Sequence, residues 1–149
     1  MKIKIRALGA LAGVFSFVAL TATAQAADRP YSEGTVSVVS SIRTEPGQGE
    51  NYMKYLATTY KQMMEEQKKA GIIVDWSVYT TRPSTADGPN LYLVTTYKNL
   101  AAMDGLQDKV EAMQEKMFGN QEARDAAVIA RGKMRTALGS EVIREVVFK

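Results

Sequence analysis

Along this chain the hydrophobic residues switch period repeatedly, from two to between three and four and back, and that alternation limits the available folds more than any other feature. From Thr35 to Arg43, Val36, Val38 and Ile42 point one way while Thr35, Ser37, Val39, Ser41 and Arg43 point the other, which predicts a strand with one apolar face. Glu45-Pro46-Gly47 breaks it. From Gly49 to Ala70, Tyr52, Met53, Leu56, Tyr60, Met63 and Met64 recur at helical spacing; Lys68 and Lys69 suit the last turn and Gly71 its closure. A second strand is expected over 72–82, with Ile72, Val74, Trp76 and Val78 on one face and Ile73, Asp75, Ser77, Tyr79 and Thr81 on the other. Pro83 to Asn90 reads as a turn-rich loop, and Leu91 to Lys98 as a third strand forming an antiparallel hairpin with the second.

Asn99 can cap a second helix striped by Met103, Leu106, Val110, Met113 and Met117, which Gly119-Asn120 interrupts. A further helix is expected from Gln121 to Leu138, ended by Gly139, and a last strand from Glu141 to Lys149. The predicted fold class is therefore α+β: a ferredoxin-like βαββαβ order with one additional helix before the last strand, and a four-stranded antiparallel sheet carrying its helices on one face. The other face stays uncovered, with Thr35, Ser37, Val39, Ser41, Asp75, Ser77 and Tyr79 on it, joined by Tyr92, Val94, Thr96, Arg144 and Val146. Such a mixed face suits a shared interior under a second sheet, with room for a ligand or water.

The amino terminus sets the expected compartment. Lys2, Lys4 and Arg6 precede an apolar run from Ala7 to about Leu20, and Ala24-Gln25-Ala26 offers the small residues of a cleavage site, so residues 1–26 read as a cleaved signal peptide. The run contains Gly13 and Ser16 and falls short of the ~20 residues that span a bilayer, which favours cleavage over a retained anchor. The organisation expected is thus 1–26 signal, 27–34 flexible lead and 35–149 a single domain, in a periplasmic or secreted protein with no membrane attachment after cleavage. Three of the 19 Lys and Arg lie in the signal and none of the 16 acids does, leaving 16 against 16. That balance removes the charge argument for nucleic acid.

With no cysteine, the exported domain must be held by packing rather than disulfides. With no histidine, the usual zinc and copper(II) sites, a Ser-His-Asp triad and a neutral-pH imidazole base are all ruled out. No metal and no cofactor are expected. Met63-Met64 and Met113 with Met117 invite a copper(I) reading, but their spacing continues through Val110 and Leu106, so core packing is expected. The alternating charges from Asp104 to Arg135 read as a solvated helical surface.

The strand ending before Glu45-Pro46-Gly47, followed by Tyr52 and Leu56 on the helix, then Gly71 and a strand carrying Trp76, resembles the dimeric α/β-barrel superfamily. That group includes antibiotic-biosynthesis-type monooxygenases and stress-responsive barrel proteins. The resemblance implies a homodimer whose two sheets form one barrel, with a cavity in the barrel or between sheet and helices. Asn51 and Trp76 are the residues it nominates for oxygenase chemistry, but the histidine common in such sites has no counterpart, and an axial haem histidine is absent. Trp76, flanked by Val74 and Val78 at period two, is expected in the core.

On the uncovered face Arg43, Asp75, Tyr79, Tyr92 and Arg144 form the candidate ligand-binding set, able to bind an acidic or phenolic molecule or to perturb the carboxylate into a base. A network of salt bridges and hydroxyls at a dimer interface is the structural alternative. The leading expectation is an exported homodimer that binds a small organic ligand in the barrel. The alternatives are a cofactor-independent monooxygenase or isomerase on an aromatic substrate, and a structural or interaction protein of the cell envelope.

Overall fold

The computed structural model describes residues 29–149, so the expected signal and cleavage site lie outside the described residues. Four strands, β1 (Tyr31–Thr44), β2 (Asp75–Thr80), β3 (Leu91–Tyr97) and β4 (Arg135–Phe148), form one antiparallel sheet in the order β2-β3-β1-β4. Between β1 and β2 runs a continuous rod made of α1 (Gly49–Tyr55), a π-helical turn (Leu56–Tyr60) and α2 (Lys61–Lys69). A 3₁₀ turn (Leu100–Met103), α3 (Leu106–Phe118) and α4 (Gln121–Gly132) connect β3 to β4. The architecture is α+β, an open sheet with helices on one face. No helix among the described residues is long and apolar enough to cross a membrane.

The core lies where the rod meets β1 and β3. Val36 and Ile42 are wholly buried, and Leu91, Leu93 and Tyr97 of β3 join them beneath Tyr52, Leu56, Tyr60, Met63 and Met64. In an α-helix, residues four apart precess by about 40° around the axis. The wider turn at Leu56–Tyr60 takes up that drift, so Tyr52, Leu56 and Tyr60 stay aimed at the sheet. Trp76 packs against this cluster as expected, edge-on to Tyr60 at 5.7 Å, with its indole Nε1 donating to Glu65 Oε1 at 2.9 Å. Met63 and Met64 of the rod are core residues, with Met117 and Met134 packed against the cluster, whereas Met53, expected on the same stripe, is exposed.

Element boundaries depart from the expected ones in four places, each for a local reason. β1 begins at Tyr31, so residues 31–34 of the expected lead are strand, paired with Val146 to Phe148. β2 begins at Asp75 rather than Ile72. Gly71, at φ +70°, donates to Lys68 O and Ile72 donates to Gln67 O, a two-bond cap that keeps the chain on the helix end and buries Ile73 while exposing Val74.

Asn99 caps only the 3₁₀ turn, its Oδ1 accepting from Ala102 N. Gly105, at φ +62°, then restarts the chain as α3. The last helix stops at Gly132 instead of Leu138. Residues 135–137 instead pair with Thr44, Arg43 and Ile42, and sheet hydrogen bonding overrides their helical propensity. Gly139 is therefore no helix terminus. It stands opposite Ser41 beside the unpaired Leu138, in a bulge where its φ of +141° suits only glycine.

Because Ile42 is sealed from both sides, Ile42→Ala is expected to lower unfolding free energy by about 2–5 kcal/mol. The check is urea denaturation, with an unchanged m-value.

Candidate functional site

Residues directly opposite each other in a sheet share a face, so the strand register assigns every side chain. On the uncovered face one row runs Asp75, Thr96, Ser37, Ile143; the next Ser77, Val94, Val39, Glu141; the third Tyr79, Tyr92, Ser41, Gly139. Arg43 and Thr136 begin a fourth. The Ser37 and Thr96 hydroxyls bond across the face at 2.9 Å.

Of the five candidate residues, this geometry gathers three. Tyr79 and Tyr92 are direct cross-strand partners, and Arg43 lies one row beyond Tyr92. Asp75 is four residues along β2 from Tyr79, about 13 Å at strand rise. It binds Lys68 Nζ at 2.8 Å, and that hydrogen bond holds its carboxyl below the usual range. An exposed, paired carboxylate with lowered proton affinity is poorly suited to act as a base at neutral pH.

Arg144 requires correction. It stands opposite the fully buried Val36, hence on the helix side, where it pairs with Glu33 at 2.5 Å. The expected face was inverted because β1 carries two residues, Gly34 and Thr35, against the single Glu145, and because β4 starts earlier than expected. By the same parity Val146 lies on Arg144's side. At Gly34 a Cβ would come 2.6 Å from Glu145 Oε2, which in turn accepts from the Thr35 hydroxyl at 3.0 Å.

The rim beside Arg43 opens into a cleft of about 690 Å³ between the Arg43–Gly47 turn and the Pro83–Asn90 loop. Arg43 Nη1 reaches Asp87 Oδ1 at 2.7 Å, but the Asp87 side chain is 92% exposed. A pair so open to water is weak and can be exchanged for another anion. Asn90 holds the rim in place: its Oδ1 accepts from Thr44 N at 3.0 Å and its Nδ2 donates to Thr44 Oγ1 at 2.7 Å. The sequence marks both loops by Pro and Gly, yet only the pairing of Ile42 with Leu91 brings them face to face.

A second polar group lies under the sheet and carries no sequence signal, since its members come from α1, α4 and β4. Tyr52 and Tyr55 stack at 5.8 Å and 15°, the Arg135 guanidinium lies 5.8 Å from the Tyr52 ring centre, and Arg131 Nη1 donates to Tyr55 Oη at 3.4 Å. Burial pushes the Tyr52 phenol up to about 12, against a partial offset from Arg135. Burial raises Tyr60 and Tyr97 as well.

No protein-family model matches the chain, and no curated protein matches it by sequence. Two solved structures do resemble it. HapK from Hahella chejuensis superposes with a TM-score of 0.51 at 11% identity, over 74% of this chain and 91% of HapK. Protein SO0527 from Shewanella oneidensis gives 0.49 at 13% identity, over 78% of this chain and 96% of that one. At such identity the HapK likeness speaks to fold alone, a small antiparallel sheet with helices that fits an α+β ferredoxin-like arrangement.

Since the Tyr52 phenol is raised from 10.0 to about 12, the folded state retains a proton between those values that the unfolded chain releases. Its contribution to stability is complete below pH 10 and is lost as pH rises through about 12. Comparing urea midpoints of the protein and Tyr52→Phe across that window should show a steeper alkaline decline in the parent. An identical slope would refute the assignment.

Proposed function

We propose that this chain is an exported protein that pairs with a second copy, open face to open face, as a dimeric α/β barrel of ferredoxin-like sheets, and holds a small organic molecule between them. The order β2-β3-β1-β4, with helical crossovers on one side, supports the ferredoxin-like assignment. The observation that carries the pairing is β4. Val142, Ile143, Val146 and Val147 are 44–57% exposed and Phe148 is 77% exposed, on both faces of a 14-residue edge strand.

An edge this long and apolar invites association unless a partner covers it. Full burial of a side chain is worth about 1.5–3 kcal/mol, so covering these, most of them already about half buried, gains roughly 1 kcal/mol each, and several together can support a stable dimer. The open face contributes Val39, Val94 and Ile143 as contact surface, with Ser37, Ser41, Thr96, Tyr79 and Tyr92 as hydrogen-bonding groups. That mixture favours a ligand with an apolar body and a few hydroxyl or carbonyl groups, and Arg43 at the rim offers a charge to an acidic one.

Native mass spectrometry of the mature protein is expected to show a dimer, with retained extra mass when it is purified from its own compartment. Ile143→Lys, which places an ammonium where the sheets meet, should convert it to monomer with unchanged circular dichroism. A monomeric parent at micromolar concentration would sink the barrel reading. Export is checked separately: sequencing of the secreted or periplasmic form should begin at Ala27, and an intact Met1 would refute cleavage.

A further inference from the structure

The loop from Pro83 to Asn90 is pinned at its base and latched at its tip. At the base, Asn90 N donates to Ile42 O at 2.9 Å and Asn90 O accepts from Thr81 N at 2.9 Å, while its side chain bonds Thr44 N and Thr44 Oγ1. Residues 83–89 have much less. Gly88 N donates to Thr85 O at 3.1 Å, a bond within the loop itself. Among the described residues, the hydrogen bonds that tie this stretch to the rest of the domain come from Arg43 Nη1, to Asp87 Oδ1 at 2.7 Å and Asp87 O at 3.4 Å.

The two partners of that latch are unequal. The Arg43 side chain is 33% exposed and rooted in the sheet, one row beyond Tyr92, whereas the Asp87 side chain is 92% exposed on the loop. An ion pair so open to water stabilises the loop little, so it costs little to replace Asp87 by another carboxylate. Arg43 itself stays where it is.

Room lies directly at the pair. Arg43 and Asp87 both line the cleft of about 690 Å³, facing Pro46, Gly47 and Gly88. A second hollow of about 450 Å³ shares Thr44, Gly47, Gly49 and Asn90 with the first and runs on past Thr80 to the exposed Met53. These are the dimensions of a small-molecule site. The other charges limit what can enter. Glu45 lines the first cleft and accepts from the Thr136 hydroxyl at 2.6 Å, and Glu50 lines the second. Once Asp87 has moved aside, one guanidinium and one carboxylate face the first cleft, which suits a single negative charge and repels a dianion such as phosphate. The guanidinium fork also matches a planar carboxylate.

We propose that this cleft receives the acidic group of a monocarboxylate ligand, with Arg43 as its anchor and Asp87 as a built-in competitor. The ligand takes Asp87's place on Arg43 and frees the tip of the loop, while Asn90 keeps the base shut. The inference rests on the reading that this domain holds a small organic molecule, whose class it narrows to a carboxylic acid with a body that can reach the neighbouring Tyr92 and Tyr79. It does not rest on dimerisation, because residues 43–49 and 83–90 of one chain form the cleft.

4-Hydroxybenzoate serves as the probe, with 4-hydroxybenzamide as its neutral counterpart and sodium chloride at equal ionic strength as the salt control. Calorimetric titration of the mature protein should show the acid binding at least tenfold more tightly than the amide. Asp87→Ala should leave the melting temperature unchanged and tighten the acid about two- to fivefold, the range an exposed ion pair allows, without affecting the amide. Arg43→Gln should bring the acid down to the amide's affinity. Should Arg43→Gln fail to fold, the gain expected from Asp87→Ala still decides. Hydrogen exchange at residues 84–88 should quicken when the acid is added, with the Asn90 amide still protected. Equal affinity for acid and amide, or an acid affinity that Asp87→Ala leaves unchanged or weakens, would overturn the proposal and leave the small-molecule reading standing. Binding of neither compound would overturn it as well, and the mass retained in native spectrometry then tests that reading by itself.

Discussion

Everything else in this domain is arranged around the contact of β1 with the helical rod. β1 is one of the two central strands, paired with β3 through residues 36–42 and with β4 along almost its whole length. Its inward residues Val36 and Ile42 are the floor onto which Tyr52, Leu56 and Tyr60 close. No disulfide assists, since the chain has no cysteine, so apolar burial at this seam bears the stability that a small domain can otherwise take from cross-links. The π turn serves the same contact, keeping residues spaced by four on a common line.

Around that seam burial falls away asymmetrically. β3 is protected by the rod, whereas α3 and α4 form a looser outer layer with no fully buried residue, and β4 is exposed along most of its length. The domain thus finishes its core on one side and leaves apolar surface unfinished on the other. Its polar features follow the same division. The Tyr79, Tyr92 and Arg43 corner belongs to the open face, while Tyr52, Tyr55, Arg131 and Arg135 lie beneath the rod, and the sheet separates the two sets.

Local patterns read well wherever one physical signal dominated. The two-residue period of β1, the turn chemistry at Glu45-Pro46-Gly47 and at Gly71, and the four-spaced aromatic and apolar stripe of the rod each specify their own conformation. Trp76 and Val78 went inward as their spacing required. The misreadings cluster at β4. Residues 135–138 have good helical propensity, and only hydrogen bonding to Ile42, Arg43 and Thr44 makes them strand. Losing those residues, and the bulges at Gly34 and Leu138, cost the parity of Arg144 and with it one member of the candidate site.

By itself, therefore, the sequence determined the order of elements, the core face of β1 and most of that of the rod, and the chemistry that a chain without histidine or cysteine cannot perform, because these depend on residue type and spacing within single segments. The tertiary structure decided which loops form the cleft beside Arg43, which face Arg144 takes, and that Tyr52 and Arg135, 83 residues apart in sequence, are left beside each other with unmet donors. Those outcomes rest on strand register and on packing between distant segments, where a shift of one residue reverses every side chain and no local pattern records the shift.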